Sequence, residues 1–373
     1  MSALSKEQLV DLRLLLSVEG IGPGRVRKLL AKFKSVEKVI SADLVSISEV
    51  EGISENLAKK IVRASRNRTE IEDIVEKEQE DLEKYSAKII TIWDKEYPPL
   101  LKKIYDPPLF FYKRGAIKAS DAYSIAMIGT RGPTNYGKVH ADRLSGELAK
   151  EGITVVSGLA RGIDTISHIG ALKNGGRTIA VIGSGLDVVY PSENRKLYEE
   201  ISEKGVLISE FPFGTKPDAM NFPQRNRIIS GLSLGIVVIE SGKGGGSMQT
   251  VSYGLDQGRE IFALPGNVGV RQSEGTNLLI QKGEAKLVTS AEDIIVELEI
   301  KLKPVLGKNI PKEPVTLGLF EEKIYNCLDD GATHIDSIST NSGLSTSDCL
   351  VHLLSLEFKG LIKQLPGKMF AKL

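Results

Sequence analysis

Five short segments rich in glycine follow apolar runs: Gly129-Thr130-Arg131-Gly132-Pro133, Ser157-Gly158-Leu159-Ala160-Arg161-Gly162, Gly183-Ser184-Gly185-Leu186-Asp187, Gly242-Lys243-Gly244-Gly245-Gly246-Ser247 and Pro265-Gly266-Asn267. The chemistry they suit is anion binding. Glycine lacks a Cβ and accepts positive φ, so backbone amides can approach a phosphate closely. Ser247 is expected to cap a helix over 248–257, whose free N–H groups and positive dipole end favour an anion. Lys243, Arg131 and Arg161 add positive charge. The stretch 221–230 contributes Arg225, Asn226 and Arg227; two residues apart on a helix, the arginines cannot share a face. At most one of them is expected to meet a phosphate, and the other to make structural hydrogen bonds.

The usual nucleotide fingerprints are missing. No loop reads G-x-G-x-x-G, which disfavours a dinucleotide, and Lys243 precedes its glycines instead of following them as a nucleoside-triphosphatase loop requires. Asp164 and His168 stand four apart on one helical face, a spacing that suits an acid/base pair or two metal ligands. No third ligand is near in sequence, so capping or core hydrogen bonding is the expected role, and neither a metal nor a cofactor is expected.

The elements that must hold these loops alternate strand and helix between residues 86 and 298. Strands are predicted over 124–128, 153–156, 178–182, 206–208, 234–239 and 261–264, with helices such as 136–151 and 193–204 between them. Runs apolar on both faces fit a parallel sheet covered on both sides. The fold class is α/β, an extended Rossmann-like doubly wound parallel sheet. Its loops would share the carboxyl edge of the sheet, making one composite site. Residues 89–93 and the following proline pairs look like an addition at one edge.

Residues 1–85 read as a helical SAM-like or helix-hairpin-helix domain. Val18-Glu19-Gly20-Ile21-Gly22-Pro23-Gly24 is echoed by Val50-Glu51-Gly52-Ile53-Ser54-Glu55-Asn56, each ahead of a basic helix. The first copy could grip a DNA backbone; the second has Ser54 and Asn56 where the glycines stood. A structural or partner-binding module fits the pattern as well, and both readings stay open. Residues 299–318, with Pro304, Pro311 and Pro314, read as a linker. Residues 319–373 follow as three helices and a hairpin, a winged-helix domain whose third helix carries Asp348 and Glu357 against Lys359. That charge argues against tight duplex readout and for protein contact or stabilisation.

A chain of 373 residues exceeds one compact core, given about 150 residues per domain. Its formal net charge of +1 makes no global case for nucleic acid, so any such case rests on where the cations fall. No apolar run reaches the roughly 18 residues of a membrane span, and MSALSKEQLVDLR lacks a signal-peptide core. A cytoplasmic protein is expected. Cys327 and Cys349, among apolar neighbours, read as thiols in a core.

Taken in order, GTR, SGLARGID, GSGLDVVYP, FPQRNRIISGLS, GGGS and LPGN between residues 129 and 267 resemble the DprA/Smf family of bacterial DNA-processing proteins. The resemblance implies a homodimeric recombination mediator without covalent chemistry, which binds and shields incoming single-stranded DNA during natural transformation. It also implies help in loading RecA, with RecA and single-strand-binding protein as further partners. The implied pocket comprises Gly129, Arg131, Ser157, Gly158, Arg161, Asn226, Lys243, Gly245, Gly246 and Ser247; Thr130, Gly162, Arg225 and Arg227, from the same loops and the arginine stretch, complete the expected site. The alternative is a Rossmann-type nucleoside-monophosphate phosphoribohydrolase. In that family a glutamate follows the glycine loop, and here Thr250 stands in its place.

Overall fold

The computed structural model describes residues 5–64, 68–299, 302, 317–328, 331–358, 361–365 and 367–372. The chain forms two compact units, Met1–Gly307 and Lys308–Leu373. Most of the expected linker at 299–318 lies outside the described residues.

The first unit opens with helices α1 (Lys6–Ser17), α2 (Pro23–Phe33), α3 (Val36–Ile40), α4 (Leu44–Ser48), α5 (Glu55–Ala64) and α6 (Arg68–Lys84). Local sequence sets their starts. Ser5 and Gln8 form a capping box on α1, Pro23 occupies the first turn of α2, and Asp43 caps α4. Helices α2 and α5, one from each copy of the repeat, contribute Leu29 and Ile61 to a core that also contains Leu12 and Ile47. Arg25 ties the copies together by donating to the carbonyls of Gly20 and Gly52. Glu78, buried on acidic α6, accepts from Arg13 and from the Tyr112 hydroxyl, which fastens the helical segment to the sheet.

The sheet has nine strands: β1 (Ala87–Thr91), β2 (Phe110–Gly115), β3 (Ser124–Ile128), β4 (Thr154–Ser157), β5 (Thr178–Ile182), β6 (Val206–Ser209), β7 (Gly235–Val238), β8 (Glu260–Ala263) and β9 (Lys286–Leu287). Helices α7 (Pro99–Lys102), α8 (Asn135–Lys150), α9 (Ile163–Lys173), α10 (Arg195–Lys204), α11 (Asn221–Leu232), α12 (Gly246–Asp256), α13 (Glu274–Gln281) and α14 (Ala291–Glu297) lie between or after them. The strand order is β1-β2-β6-β5-β4-β3-β7-β8-β9. From β6 to β9 every pairing is parallel, whereas β1 and β2 join antiparallel on the β6 side. The chain runs outward from β3 to β6, then returns to place β7 on the other side of β3. That reversal opens a crevice beyond the carboxyl ends of β3 and β7, where open α/β sheets hold ligands.

Strands β3 and β5 match the predicted 124–128 and 178–182, and every residue of both is buried. Strand β2 was not predicted. Its Phe110-Phe111-Tyr112 start favours a strand, but Pro107 and Pro108 immediately before it disguise it as a turn. The expected addition at the edge is strand β1, which begins two residues before the 89–93 run and ends at Thr91.

The second unit packs α15 (Leu319–Asn326), α16 (Ile335–Ser342) and α17 (Thr346–Phe358) against β10 (Thr333–His334), β11 (Ile362–Leu365) and β12 (Met369–Lys372). The strands pair antiparallel in the order β10-β12-β11. Ile338, Leu353, Ile362 and Phe370 form its core. Cys349 is buried there, Cys327 is half-buried, and both are free thiols. Lys359, the cation weighed against Asp348 and Glu357, lies outside the described residues. Among the described residues no helix is long and apolar enough to cross a membrane.

Candidate nucleic-acid interface

At the β3/β7 crevice lies a cleft of about 830 Å³, walled by Gly129, Thr130, Arg131, Arg225, Asn226, Gly245, Gly246 and Ser247. A smaller recess beside it adds Gly158 and Arg161. Lys243 lines a third hollow that shares Thr130 and Gly245 with the first. Eleven of the fourteen expected residues therefore converge. Ser157 is buried, its hydroxyl donating to the Met127 carbonyl at 2.6 Å. Gly162 packs against the backbone of Thr130 and Arg131, and its φ of +78° explains why glycine stands there. Arg227 points away, donating twice to Glu210 at 2.7 Å with Asp106 at 3.8 Å.

The loops differ in whether an internal carboxylate accepts from their amides. In the β4–α9 loop, Gly158 and Ala160 donate to the Asp164 carboxylate at 3.2 and 3.4 Å. In the β3–α8 loop, Thr130 N donates to the Glu240 carbonyl, and Thr134 N donates to the Glu240 carboxylate at 2.9 Å. Gly185 N and Gly266 N are likewise engaged, by Thr215 O and Asn277 Oδ1. Internal carboxylates thus occupy the places an incoming anion would take in two of the loops.

The β7–α12 loop is different. Among the described residues, the amides of Lys243, Gly244, Gly246 and Ser247 have no acceptor within the chain. Helix α12 starts two residues earlier than expected, with Gly245 as its N-cap and no side-chain cap. Ser247 is therefore not the cap. It sits in the first turn, its hydroxyl donating to Ser241 Oγ at 2.8 Å. An eleven-residue helix thus presents an open N-terminus at the cleft, with Lys243 exposed beside it.

Facing it, Arg131 is exposed with its guanidinium 5.3 Å from the Phe222 ring centroid, and Tyr190 lies 6.0 Å from the same ring. Phe222 and Tyr190 both line the cleft. The sequence reading placed neither Phe222 nor Tyr190 among the expected site residues. It also missed Arg271, which lines the hollow with Lys243; a lone arginine in a loop carries no periodic signal. Arg161 pairs with exposed Glu193, a contact that salt screens readily.

Beneath the cleft, Arg225 is buried and donates to Gly158 O at 2.6 Å and to Val181 O. Burial lowers its guanidinium to about 10, with Asp164 opposing. Burial pushes the Asp164 carboxyl up to about 6, while Arg225 pulls it down. Burial, reinforced by Arg225, pushes His168 down to about 3, and its Nδ1 bonds Thr178 Oγ1 at 2.6 Å. The pair thus serves core hydrogen bonding. Among the described residues no cluster of three metal-ligating side chains occurs.

These shifts set a pH dependence. Between about pH 6 and 3.8 the folded chain protonates Asp164 before the unfolded chain does, so this residue favours folding as pH falls. His168 acts oppositely: its unfolded ring charges near 6.5 while the folded ring stays neutral to about 3. Asp164→Asn removes the favourable part, and urea unfolding is expected to show a steeper acid loss between pH 6 and 4, by about 3 kcal/mol at the limit. Parallel pH curves for parent and variant would contradict this.

The family model of DNA recombination-mediator protein A matches residues 88–299, flanked by a SAM-like helix-hairpin-helix tandem at 12–67 and a DprA winged helix domain at 311–368. The chain belongs to the DprA/Smf family. Protein Smf of Synechocystis sp. is 33% identical, across 95% of this chain and 96% of that protein. DNA processing protein DprA of Bacillus subtilis is 40% identical across 68% and 86%. Among solved structures, DprA from Streptococcus pneumoniae superposes with a TM-score of 0.67 at 32% identity, covering 79% of this chain and 99% of that one. DprA from Helicobacter pylori, whose structure concerns its single-stranded DNA binding mode, gives 0.53 at 32% identity, covering 58% and 97%. DprA/Smf membership fixes the architecture: a mixed α/β sheet between a helix-hairpin-helix segment and a winged helix.

Proposed function

We propose that the β3/β7 cleft binds single-stranded DNA, and that the chain is a recombination mediator which shields incoming strands and helps load RecA during natural transformation. The open α12 N-terminus carries this reading, since among the described residues no internal carboxylate accepts from the amides of its loop. The single-stranded DNA binding mode of the Helicobacter pylori relative supports it. Phe222 and Tyr190 favour an unpaired strand, whose bases can reach a ring face. Residues 1–85, 86–298 and 319–373 serve as its helical, DNA-binding and winged-helix domains. A cytoplasmic homodimer that exchanges single-strand-binding protein for RecA completes the proposal, on the support of family membership.

No covalent step is assigned. Thr250, 2% exposed, stands where a hydrolase needs a carboxylate. Of the two carboxylates at the cleft wall, Asp164 is engaged by the Gly158 and Ala160 amides and Asp218 accepts from Met220 N.

Fluorescence anisotropy with single-stranded and duplex oligonucleotides across a salt series tests the site. Arg131→Ala and Lys243→Ala are each expected to weaken single-strand binding about tenfold or more. Each should also flatten the slope of log K against log salt by about 0.7. Arg227→Ala should bind as the parent does, because Glu210 holds its guanidinium. Equal affinity of the parent and the first two variants, or release of free base from a nucleoside monophosphate, would overturn the reading.

A further inference from the structure

A second cleft, of about 520 Å³, lies between the helical segment and the sheet, lined by Arg27, Leu30, Lys34, Ile92, Trp93 and Lys102. Its volume is in the range of small-molecule sites. The cations of the helical segment divide into two sets. Lys28, Lys32 and Lys60 pair with Glu51, Glu49 and Glu19 at 3.0, 2.7 and 2.7 Å, stapling the two copies of the repeat together. Arg27 and Lys34, on the same helix as Lys28 and Lys32 or at its end, have no carboxylate partner among the described residues, and neither does Lys102. Arg27 donates one N–H to Tyr105 O at 2.8 Å, yet its Nε is buried with no acceptor. A buried donor without a partner costs about 1–3 kcal/mol, so Arg27 is a cation held at the cleft without the carboxylate that would offset that cost.

The place of the cleft in the sheet indicates what meets that cation. Strand β1 is antiparallel to β2, which is antiparallel to β6. Therefore β1 runs parallel to β6, and Ile92 and Trp93, just beyond its carboxyl end, open on the same sheet edge as the glycine loops. Five strand steps separate β1 from β3, roughly 24 Å at the usual spacing. An extended strand of a few nucleotides covers that span.

We infer that the Trp93 cleft holds a nucleotide of the same DNA strand bound at the β3/β7 cleft, its base against Trp93 and its phosphate among Arg27, Lys34 and Lys102. This rests on the reading of the β3/β7 cleft as a single-stranded DNA site. It is separate from the hairpin turn at Gly22 and Gly24, because Lys34 ends the helix that those glycines begin. Glu37, the one carboxylate lining the cleft, disfavours a polyanionic peptide and leaves room for a single phosphate.

Trp93 is the sole tryptophan of the chain, so its emission reports on this cleft alone. With the full chain, an oligothymidylate of about twenty nucleotides is expected to quench Trp93 and to bind about tenfold tighter than one of about four, by anisotropy. The double variant Lys34→Ala/Lys102→Ala should lose the quenching and the tenfold gain while binding the short strand as the parent does. Long-strand binding with Trp93 emission unchanged, or undiminished in the double variant, would overturn the inference. So would quenching by an oligo-aspartate peptide ending in phenylalanine, or by thymidine monophosphate, at concentrations where the long strand has no effect. Failure of the parent to bind either strand would instead overturn the β3/β7 site, and this inference with it.

Discussion

Replacing Arg225 by alanine is expected to lower the unfolding free energy of the first unit by about 3–5 kcal/mol. The guanidinium is buried under the cleft floor, where it satisfies the carbonyls of Gly158 and Val181 and lies beside the Asp164 carboxylate. Alanine leaves both carbonyls without this donor and strands a buried negative charge. Lysine at this position is no remedy, because one ammonium cannot reproduce the planar fork. The neighbouring glycine reflects the same packing: a Cβ on Gly158 would lie 2.5 Å from an Arg225 nitrogen. Urea unfolding at pH 7 measures the loss, and a change under about 1 kcal/mol would show that the arginine is not structural.

The second large effect falls on binding with the fold preserved. Gly246 is exposed in the first turn of α12, and no heavy atom lies within 4 Å of where its Cβ would be. Gly246→Asp therefore fits. Its carboxylate even favours the helix, since acidic groups near an N-terminus interact well with the dipole. The same charge occupies the place proposed for a phosphate, where like-charge contact costs several kcal/mol. Single-strand affinity is expected to fall about 100-fold or more, with the melting temperature unchanged or slightly raised. Gly245 would be a poorer choice, because its Cβ would meet Ser241 Oγ at 2.6 Å. Parental affinity in Gly246→Asp would remove the α12 N-terminus from the site.

The strands that hold the site were legible because they are short apolar runs ending in glycine; 124–128 and 178–182 coincide with β3 and β5 to the residue. Strand β2 was hidden by the prolines before it and by Lys113, a charge in a strand that is tolerated because it pairs with Glu96 at 2.5 Å. The glycine loops were legible as a set. Which of them stays open was not, since that depends on contacts distant in sequence: Glu240 meets Thr134 across 106 positions. The division of labour between Arg225 and Arg227 follows from helical spacing, but only packing against Gly158 and Glu210 shows that both are structurally committed. Among the described residues the exposed Arg131 pairs with no carboxylate, and it faces the open helix.

Amide hydrogen exchange of the full chain with and without oligothymidylate tests the location most directly. Bound strand should slow exchange at Lys243, Gly244, Gly246 and Ser247, whose amides lack internal acceptors, and change it little at Gly158 and Ala160, which Asp164 already holds. Saturating single-stranded DNA that leaves the 243–247 amides exchanging at their free rate, with protection appearing elsewhere, would contradict the account.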